Sequence, residues 1–308
     1  MPVPSGGDPS SLYGAEAVTI PYVFPAVFAA YPTYAELDNL VSGTISANAN
    51  NKQLYDMLVM ASAWASSTCN VSLHGHIHVE NKRIRPQRNG TLSWHPSHNP
   101  FKTLTGFQYA YTLGDAGSVQ TVTDLTSQWV EEGAQVNLAF PQLTGTMGGI
   151  QFGVPNPACQ LYTTSTYHAG FAHAALAGGG VTAGATSLVV SDPTGIVPGT
   201  RLTIWDPGAE EAVTVGASYG IGSTTVPLNS AVVSNHAAGV QVSEMPADIM
   251  LAVVLYTAAL LMKPDSRAED QYPDTRTGIT TRSEDARRDG TGLIAEAYRQ
   301  LRSYARVR

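Results

Sequence analysis

Hydrophobic and polar positions change their spacing several times along the chain, and each change marks an element. Apolar residues recur every three or four positions in a segment from about Ala47 to Cys69, which predicts a long amphipathic helix. Before it, TYAE at 33–36 fits a capping box that starts a shorter helix ending near Val41. Because only a short SGT turn separates the two segments, we expect a helical hairpin.

From Val71 to about Thr164 the spacing shortens to two, with turn markers such as QRNG and LGDAG. This alternation predicts a β-region with strands at 71–80, 90–95, 105–112 and 134–140. The stretch HAALAGGG, ending at Gly180, is rich in small residues and indicates a linker.

A second β-unit is predicted after this linker, because short apolar runs alternate with Pro-Gly turns. Its two halves echo each other weakly. In each half a G-x-T-[ST] opening precedes an apolar strand, and a second glycine, Gly199 or Gly239, leads into the next strand. About 65 residues of this kind favour a small β-barrel or sandwich.

The chain then returns to helical spacing, at about Ala247 to Met262 and Thr291 to Tyr304. The apolar run from Ile249 to Met262 is shorter than the roughly 20 residues that span a bilayer, so we expect a buried core helix. The predicted class is α+β, with packing helices around inserted β-regions. The expected parts are an extended N-terminal arm at 1–32, a first helical part at 33–70, an inserted β-region at 71–180, a small β-domain at 181–245 and a second helical part with a basic tail at 246–308.

Composition and charge limit the function. Charged residues make up 13% of the chain, against roughly 25% in an average domain, which suits a surface covered by neighbours. The net charge of −7 disfavours a protein that grips nucleic acid over a wide area. The aromatic N-terminal arm would need a partner to cover it. Cys69 and Cys159 show no paired spacing, so we expect inert thiols in a reducing compartment.

The stretch HGHIHVE raises the question of a metal site at His74, His76 and His78. Alternate residues of a strand share a face about 6.6 Å apart, so two of these histidines could hold one ion but three could not easily do so. A site would need further ligands, such as Glu80 or the histidines of WHPSH at 94–98. We expect a polar strand face, with no bound metal, no cofactor and no catalytic residue.

Other candidate groups have simple structural interpretations. His168 and His173 lack an obvious catalytic companion and are interpreted as loop residues. Glu210 and Glu211 are adjacent, so in a strand they face opposite ways and at least one of them is exposed. The glycine fingerprints of nucleotide sites and the common hydrolase motifs do not occur in the sequence.

The C-terminal segment AYRQLRSYARVR combines arginines with tyrosines, a composition favoured at protein interfaces. It is either a solvated end or an anchor for a partner. The anchor hypothesis names Arg299, Arg302, Tyr304, Arg306 and Arg308.

The order of elements resembles the head-to-tail connector, or adaptor, proteins of tailed bacteriophages. TYAELDNLVSG followed by LYDMLVMASAWASSTCN is similar to the opening helical hairpin of an adaptor, and HIHVENKRIRPQRNGTLSWHPSHNPFKTLTGFQY to the hairpin inserted after it. The module from GATSLVV to AVVLYTAALL resembles a β-unit leading into a packing helix of phage structural proteins.

This resemblance implies a structural, non-enzymatic virion protein that is assembled in the host cytoplasm and located in the phage neck. Its partners would be further copies of itself in a ring of about twelve, the portal protein above, a tail-side neck or tail terminator protein below, and double-stranded DNA in passage, with no membrane. The basic C-terminal residues would dock on the portal.

Three alternatives stay open from the sequence. The chain could be another virion component, such as a tail-completion or minor capsid protein. It could be a metal-dependent hydrolase built on His74, His76 and His78. It could also be a carbohydrate-binding β-protein that stacks sugars on Trp94, Trp129 or Trp205.

Overall fold

We describe the fold from a computed structural model. The residues it describes are 18, 20–31, 51–87, 91–110, 119–131, 135–139, 146–147, 150–151, 160–262 and 291–305. The predicted helix at 33–41, and with it the helical hairpin, lies outside these residues, as do Cys159, Arg306 and Arg308. In the described part of the chain, no helix is both long enough and apolar enough to cross a bilayer.

The chain divides into two compact units, each with its own core. One unit contains Gly75–Gly170, and the other contains the described residues up to His74 together with Phe171–Arg308. Helices and antiparallel sheets are both present, which confirms the predicted α+β class. The first unit is therefore an insertion between the two halves of the second.

Among the described residues, four helices contribute to the helical core of the second unit. Their bounds are α1 Pro25–Ala30, α2 Asn51–Cys69, α3 Ala247–Met262 and α4 Thr291–Leu301. α3 packs against both α2 and α4. Asp248 is its only charged residue, and its residues from Ile249 to Leu261 are almost all buried. A helix that is apolar on every side is stable only inside a core, so the predicted buried helix is confirmed.

The described part of the N-terminal arm does not need an external partner. We expected an extended segment with exposed aromatics, but Pro25–Ala30 is helical, with proline at its first turn, and the rings of Tyr22 and Phe28 are fully buried. The backbone N–H of Tyr22 donates to Ser62 Oγ at 2.8 Å. The arm expectation was wrong here because α2 and α3 of the same chain cover these rings.

The second unit also contains a small β-module. Its strands are β10 His173–Ala175, β11 Ser187–Val189, β12 Arg201–Trp205, β13 Glu211–Thr214, β14 Thr225–Pro227 and β15 Gln241–Ser243. They form a sheet in the order β10-β15-β12-β13 and a separate β11-β14 pair around one apolar core. Over 160–262 there is no closed barrel. The predicted linker at the start of this module is wrong, because β10 and Leu176 belong to its core.

The weak echo between the two halves of this module is visible in its strand pairing. β11 pairs antiparallel with β14, and β12 pairs antiparallel with β15, so each strand meets its equivalent from the other half. The glycines that precede the second strands, Gly199 and Gly239, both have φ of +84°, a conformation that favours glycine. The repeated sequence pattern therefore corresponds to repeated structure.

The first unit is built from strands. They are β1 His76–Ile84, β2 Thr91–Trp94, β3 Phe101–Ala110, β4 Gln120–Val122, β5 Gln128–Glu131, β6 Gln135–Ala139, β7 Thr146–Met147, β8 Ile150–Gln151 and β9 Leu161–Ala169. The sheets run β1-β9-β3-β4, β2-β6-β5 and β7-β8, all antiparallel. The four strands predicted for this region overlap β1, β2, β3 and β6, and the segment Gly75–Gly170 of this unit lies within the predicted range 71–180.

Candidate functional site

Three histidines of the first unit form a cluster in which their ring nitrogens lie close together. His76 and His78 come from β1, and His98 comes from the segment that joins β2 to β3. One ring nitrogen from each lies within 4.8 Å of the other two. The ring centroids of His78 and His98 are 3.8 Å apart, and that of His76 is 5.2 Å from that of His98. His76 is buried, while the other two are half-buried.

The alternation of β1 explains part of this cluster, because His76, His78 and Glu80 occupy every second position and share one face of the strand. Tyr167 of β9 stands opposite His78 in the register. Its ring centroid lies 5.6 Å from that of His78. The third histidine, His98, comes from a segment without regular structure, so its position depends on contacts with neighbouring side chains.

Glu80 and Tyr167 hold that segment. The Glu80 carboxylate accepts hydrogen bonds from the backbone N–H of Ser97, at 3.1 Å, and from the Ser97 hydroxyl. The Tyr167 hydroxyl donates to Glu80 at 3.1 Å and accepts from the backbone N–H of His98 at 3.3 Å. Lys82 Nζ lies 2.9 Å from the same carboxylate. The position of His98 is thus fixed by two buried side chains on neighbouring strands.

Burial and hydrogen bonding determine the protonation states of Glu80 and Tyr167. Burial raises the pKa of Glu80, but the hydrogen bonds from Ser97 and the charge of Lys82 outweigh it, so the net pKa lies below its usual value. Burial, and then the nearby Glu80 charge, raise the pKa of Tyr167. Glu80 is therefore an ionised acceptor and Tyr167 a neutral donor. Glu80 accepts from Ser97 and Tyr167 and is paired with Lys82, so its carboxylate holds the segment that carries His98.

His74 does not belong to this group. It lies in the second unit, where its Nε2 is 3.8 Å from Asp192 Oδ2 and its ring is 6.2 Å from that of His173. The cluster thus contains two of the three histidines of HGHIHVE. Its third member is His98, from the WHPSH segment that the sequence offered as an outside source.

The histidines interpreted as loop residues lie in strands. His168 belongs to β9 and His173 to β10, and both are buried. Burial lowers the pKa of His168, and it lowers the pKa of His173 to about 4. The loop interpretation was wrong because the glycine at position 170 between them makes only a local turn between two strands.

A second polar cluster lies in the β-module of the second unit. The buried ring of His236 contacts Asp206 Oδ2 through Nδ1 at 3.0 Å and Glu211 Oε1 through Nε2 at 2.6 Å. Glu211 also accepts from the backbone N–H of Val233 at 2.8 Å. Glu210 is exposed, as expected for at least one of the two glutamates, but it precedes β13 and does not lie in the strand. These contacts include no hydroxyl or thiol that could act as a nucleophile. The side chains of Asp206, Glu211 and His236 instead hold their segments together, and we call this group the clamp.

The predicted C-terminal anchor is only partly available. Arg299 and Arg302 are exposed, but Arg299 lies 2.7 Å from Glu296 of its own helix. Tyr304 packs on the helical core, with its ring 6.5 Å from that of Phe171, and its pKa is raised by burial. Tyr298, which was not among the predicted anchor residues, exposes 49% of its surface.

The tryptophans proposed as sugar platforms differ in exposure. Trp94 is buried in the core of the first unit and Trp205 packs against the helical core. Trp129 exposes 41% of its surface. Trp129 is therefore the most exposed of the three, and Trp205 is partly buried.

Comparison with known proteins does not add a family to this geometry. Neither a protein-family model, nor a curated protein, nor a solved structure matches the chain.

Proposed function

We propose that this chain is a structural protein of a tailed-phage virion, a head-to-tail adaptor that assembles into a ring below the portal and continues the DNA channel. The observation that carries the proposal is which parts of the chain form the helical core. α1 and α2 from the first quarter of the chain pack with α3 and α4 from its end, and both β-structures lie between them in sequence. The adaptor resemblance implies this arrangement, in which β-regions are inserted between the helices of a helical body.

Exposed apolar residues on an edge strand support self-assembly. β1 is an outer strand of its sheet, and Ile77 and Val79 on one of its faces expose 56% and 58% of their surfaces. Paired exposed apolar residues on an edge strand are a liability in a free monomer, since they can pair with other chains. A second copy of the chain covers this face in the proposed ring.

The charge of the chain suits a channel protein. A net charge of −7 repeated around a ring repels the phosphates of DNA, so the genome can slide without sticking. Arg299 and Arg302, at the exposed end of α4, then form the cationic patch that docks on the portal. Tyr298 adds an aromatic surface beside them.

Mass photometry of the purified chain tests the assembly. We expect rings of about twelve copies, formed alone or on addition of the portal protein from the same phage genome. The double variant Ile77→Asp with Val79→Asp should reduce assembly at least tenfold, because it places charges in an apolar contact. Ile221→Asp is the control, since Ile221 is an apolar residue of the other unit that exposes 43% of its surface. A chain that stays monomeric with and without portal contradicts the proposal.

Portal docking is tested separately. Truncation after Asp289 is unsuitable, because it removes Ala297 and Leu301, which are fully buried in the helical core. Arg299→Glu with Arg302→Glu should weaken portal binding without unfolding the chain. Arg201→Glu, an exposed charge reversal on β12, should leave it unchanged. Binding to an isolated tail tube and not to portal would instead indicate a tail-completion protein.

A further inference from the structure

We propose that His76, His78 and His98 form a binding site for one divalent transition-metal ion, of the class represented by Zn²⁺. The site does not depend on the proposed function, because it rests on the geometry of the first unit alone. Three imidazole nitrogens from two separate segments lie within 4.8 Å of one another.

The spacing of the nitrogens is close to what a metal requires. A zinc–nitrogen bond of about 2.0 to 2.1 Å places the nitrogens of a tetrahedral site about 3.3 Å apart. The three nitrogens would need to approach by at most about 1.5 Å. His78 and His98 are half-buried, so small rotations of their side chains supply this movement, while the buried His76 stays fixed.

The ligand set selects the class of ion. Neutral imidazole suits zinc, copper, nickel and iron, whereas calcium and magnesium prefer oxygen ligands. The clustered group contains three histidines and no carboxylate. A fourth position is left for water or for a donor from another molecule, as in open three-ligand sites.

The side chains that hold His98 organise the site before an ion binds. The hydrogen bonds from Ser97 and Tyr167 to Glu80, and from the backbone of His98 to Tyr167, hold the segment against β1 and β9 without an ion. Ligands that are held in place before binding lose less conformational freedom when the ion arrives. Partners outside the ligand set commonly change metal affinity 10- to 100-fold, so Glu80 and Tyr167 are positioning residues for this site.

The bound ion would link β1 to the segment after β2. These elements are separated in sequence by residues 85–90 and by β2 itself. Ile77 and Val79 stand on the other face of the same strand, so the ion stiffens the strand that presents them. An ion that binds only the folded state also stabilises the unit by mass action.

Isothermal titration of the untagged, chelator-treated full chain with Zn²⁺ is the direct test. We expect one ion per chain, with a dissociation constant of about micromolar or tighter, a Zn²⁺-dependent rise in melting temperature, and a Co²⁺ complex with the intense visible absorption of four-coordinate cobalt. His98→Ala and, separately, His78→Gln should each weaken binding about 100-fold or more.

The control variant is His95→Ala, which removes an exposed histidine from the same WHPSH segment. It should bind Zn²⁺ as the unsubstituted chain does. Circular dichroism of every variant separates loss of a ligand from loss of fold, and His78→Gln disturbs packing least because glutamine keeps a polar side chain of similar size at a half-buried position. Binding weaker than about 100 µM, or binding that survives both substitutions in folded protein, overturns the site.

Discussion

The ring of His173 is hydrogen-bonded to the backbone of Pro21, a residue 152 positions earlier in the chain, with 2.9 Å between Nε2 and the carbonyl oxygen. A carbonyl oxygen only accepts, so Nε2 carries the proton. Nδ1 then accepts from the Ser243 hydroxyl, 3.1 Å away. One neutral imidazole thus connects the N-terminal segment, β10 and β15, and its tautomer is set by these two partners.

This connection predicts a pH dependence of stability. Burial lowers the pKa of His173 from 6.5 to about 4. Between about pH 6.5 and pH 4 the unfolded chain binds a proton that the folded chain does not, so the free energy of unfolding decreases as the pH falls through this window. The contribution of this group is constant above the window, and its loss across it is on the order of 3 kcal/mol.

Urea denaturation at a series of pH values measures this effect. His173→Gln cannot titrate, so we expect it to be less stable at pH 7 but to lose less stability between pH 6.5 and 4 than the unsubstituted chain. His95→Gln, at an exposed position, is the control and should keep the full slope. Equal slopes in His173→Gln and the unsubstituted chain would show that His173 is not buried as a neutral group.

The clamp at His236 gives a second prediction. Burial raises the pKa of Glu211, but the hydrogen bonds from Val233, His236 and Ser234 outweigh it and lower the net pKa. Removing one partner of a buried hydrogen-bonded ionic group costs several kcal/mol, so we expect Glu211→Gln to lower the free energy of unfolding by about 2 kcal/mol. Because the folded pKa of Glu211 is depressed, its contribution is present near neutral pH and is lost as the pH falls through that pKa.

Glu210→Gln is the matched control for this clamp, because it makes the same chemical change at the adjacent, exposed position. We expect a change within about 0.5 kcal/mol there. Similar losses in the two variants, measured by urea denaturation at pH 7, would contradict the clamp.

The aromatic support of the histidine cluster gives a third prediction. Tyr167→Phe removes one hydroxyl that donates to Glu80 and accepts from the His98 backbone, while the ring stays in place. We expect a loss of about 1 to 3 kcal/mol in stability, since a buried carboxylate loses a donor, and about tenfold weaker Zn²⁺ binding. The comparison variant is Tyr162→Phe, whose hydroxyl accepts from the exposed Arg83. It should change neither quantity appreciably, and an equal effect of both variants would sink the assigned role of Tyr167.

The sequence predicted the elements better than it predicted what they contact. The apolar run of α3 and the alternation of the β-module are local patterns, and both are present in the structure. Buried Tyr22 is hydrogen-bonded to the hydroxyls of Ser62 and Ser66, two residues that follow it by 40 and 44 positions in the sequence. No local sequence pattern encodes contacts over this separation. For this reason the sequence alone predicted an external partner for the arm.

The histidine cluster shows the same limit. The alternation of β1 identified the shared face of His76 and His78, and the WHPSH segment supplied a candidate third ligand. The sequence does not show that Glu80 holds this segment against β1. His74 looked equivalent to the other two because it has the same spacing. It differs because β1 begins at His76, so regular alternation does not extend to His74.

The three glycines at 178–180 give the last prediction, because the sequence indicated a flexible linker and the structure gives them different roles. Gly180 has φ of +83°, and a Cβ there would overlap the backbone carbonyl oxygen of His236 and lie 2.8 Å from the backbone nitrogen of Ala238. Gly178 has φ of +65° with open space around it.

Gly178→Ala should therefore cost about 1 kcal/mol, the penalty of the left-handed conformation. Gly180→Ala should cost at least about 2 kcal/mol more, because the hydrogen bonds that pair Val181 with His236 must also shift. Urea denaturation of both variants tests this difference, and equal losses would mean that the backbones at 180 and 236 are not in close contact.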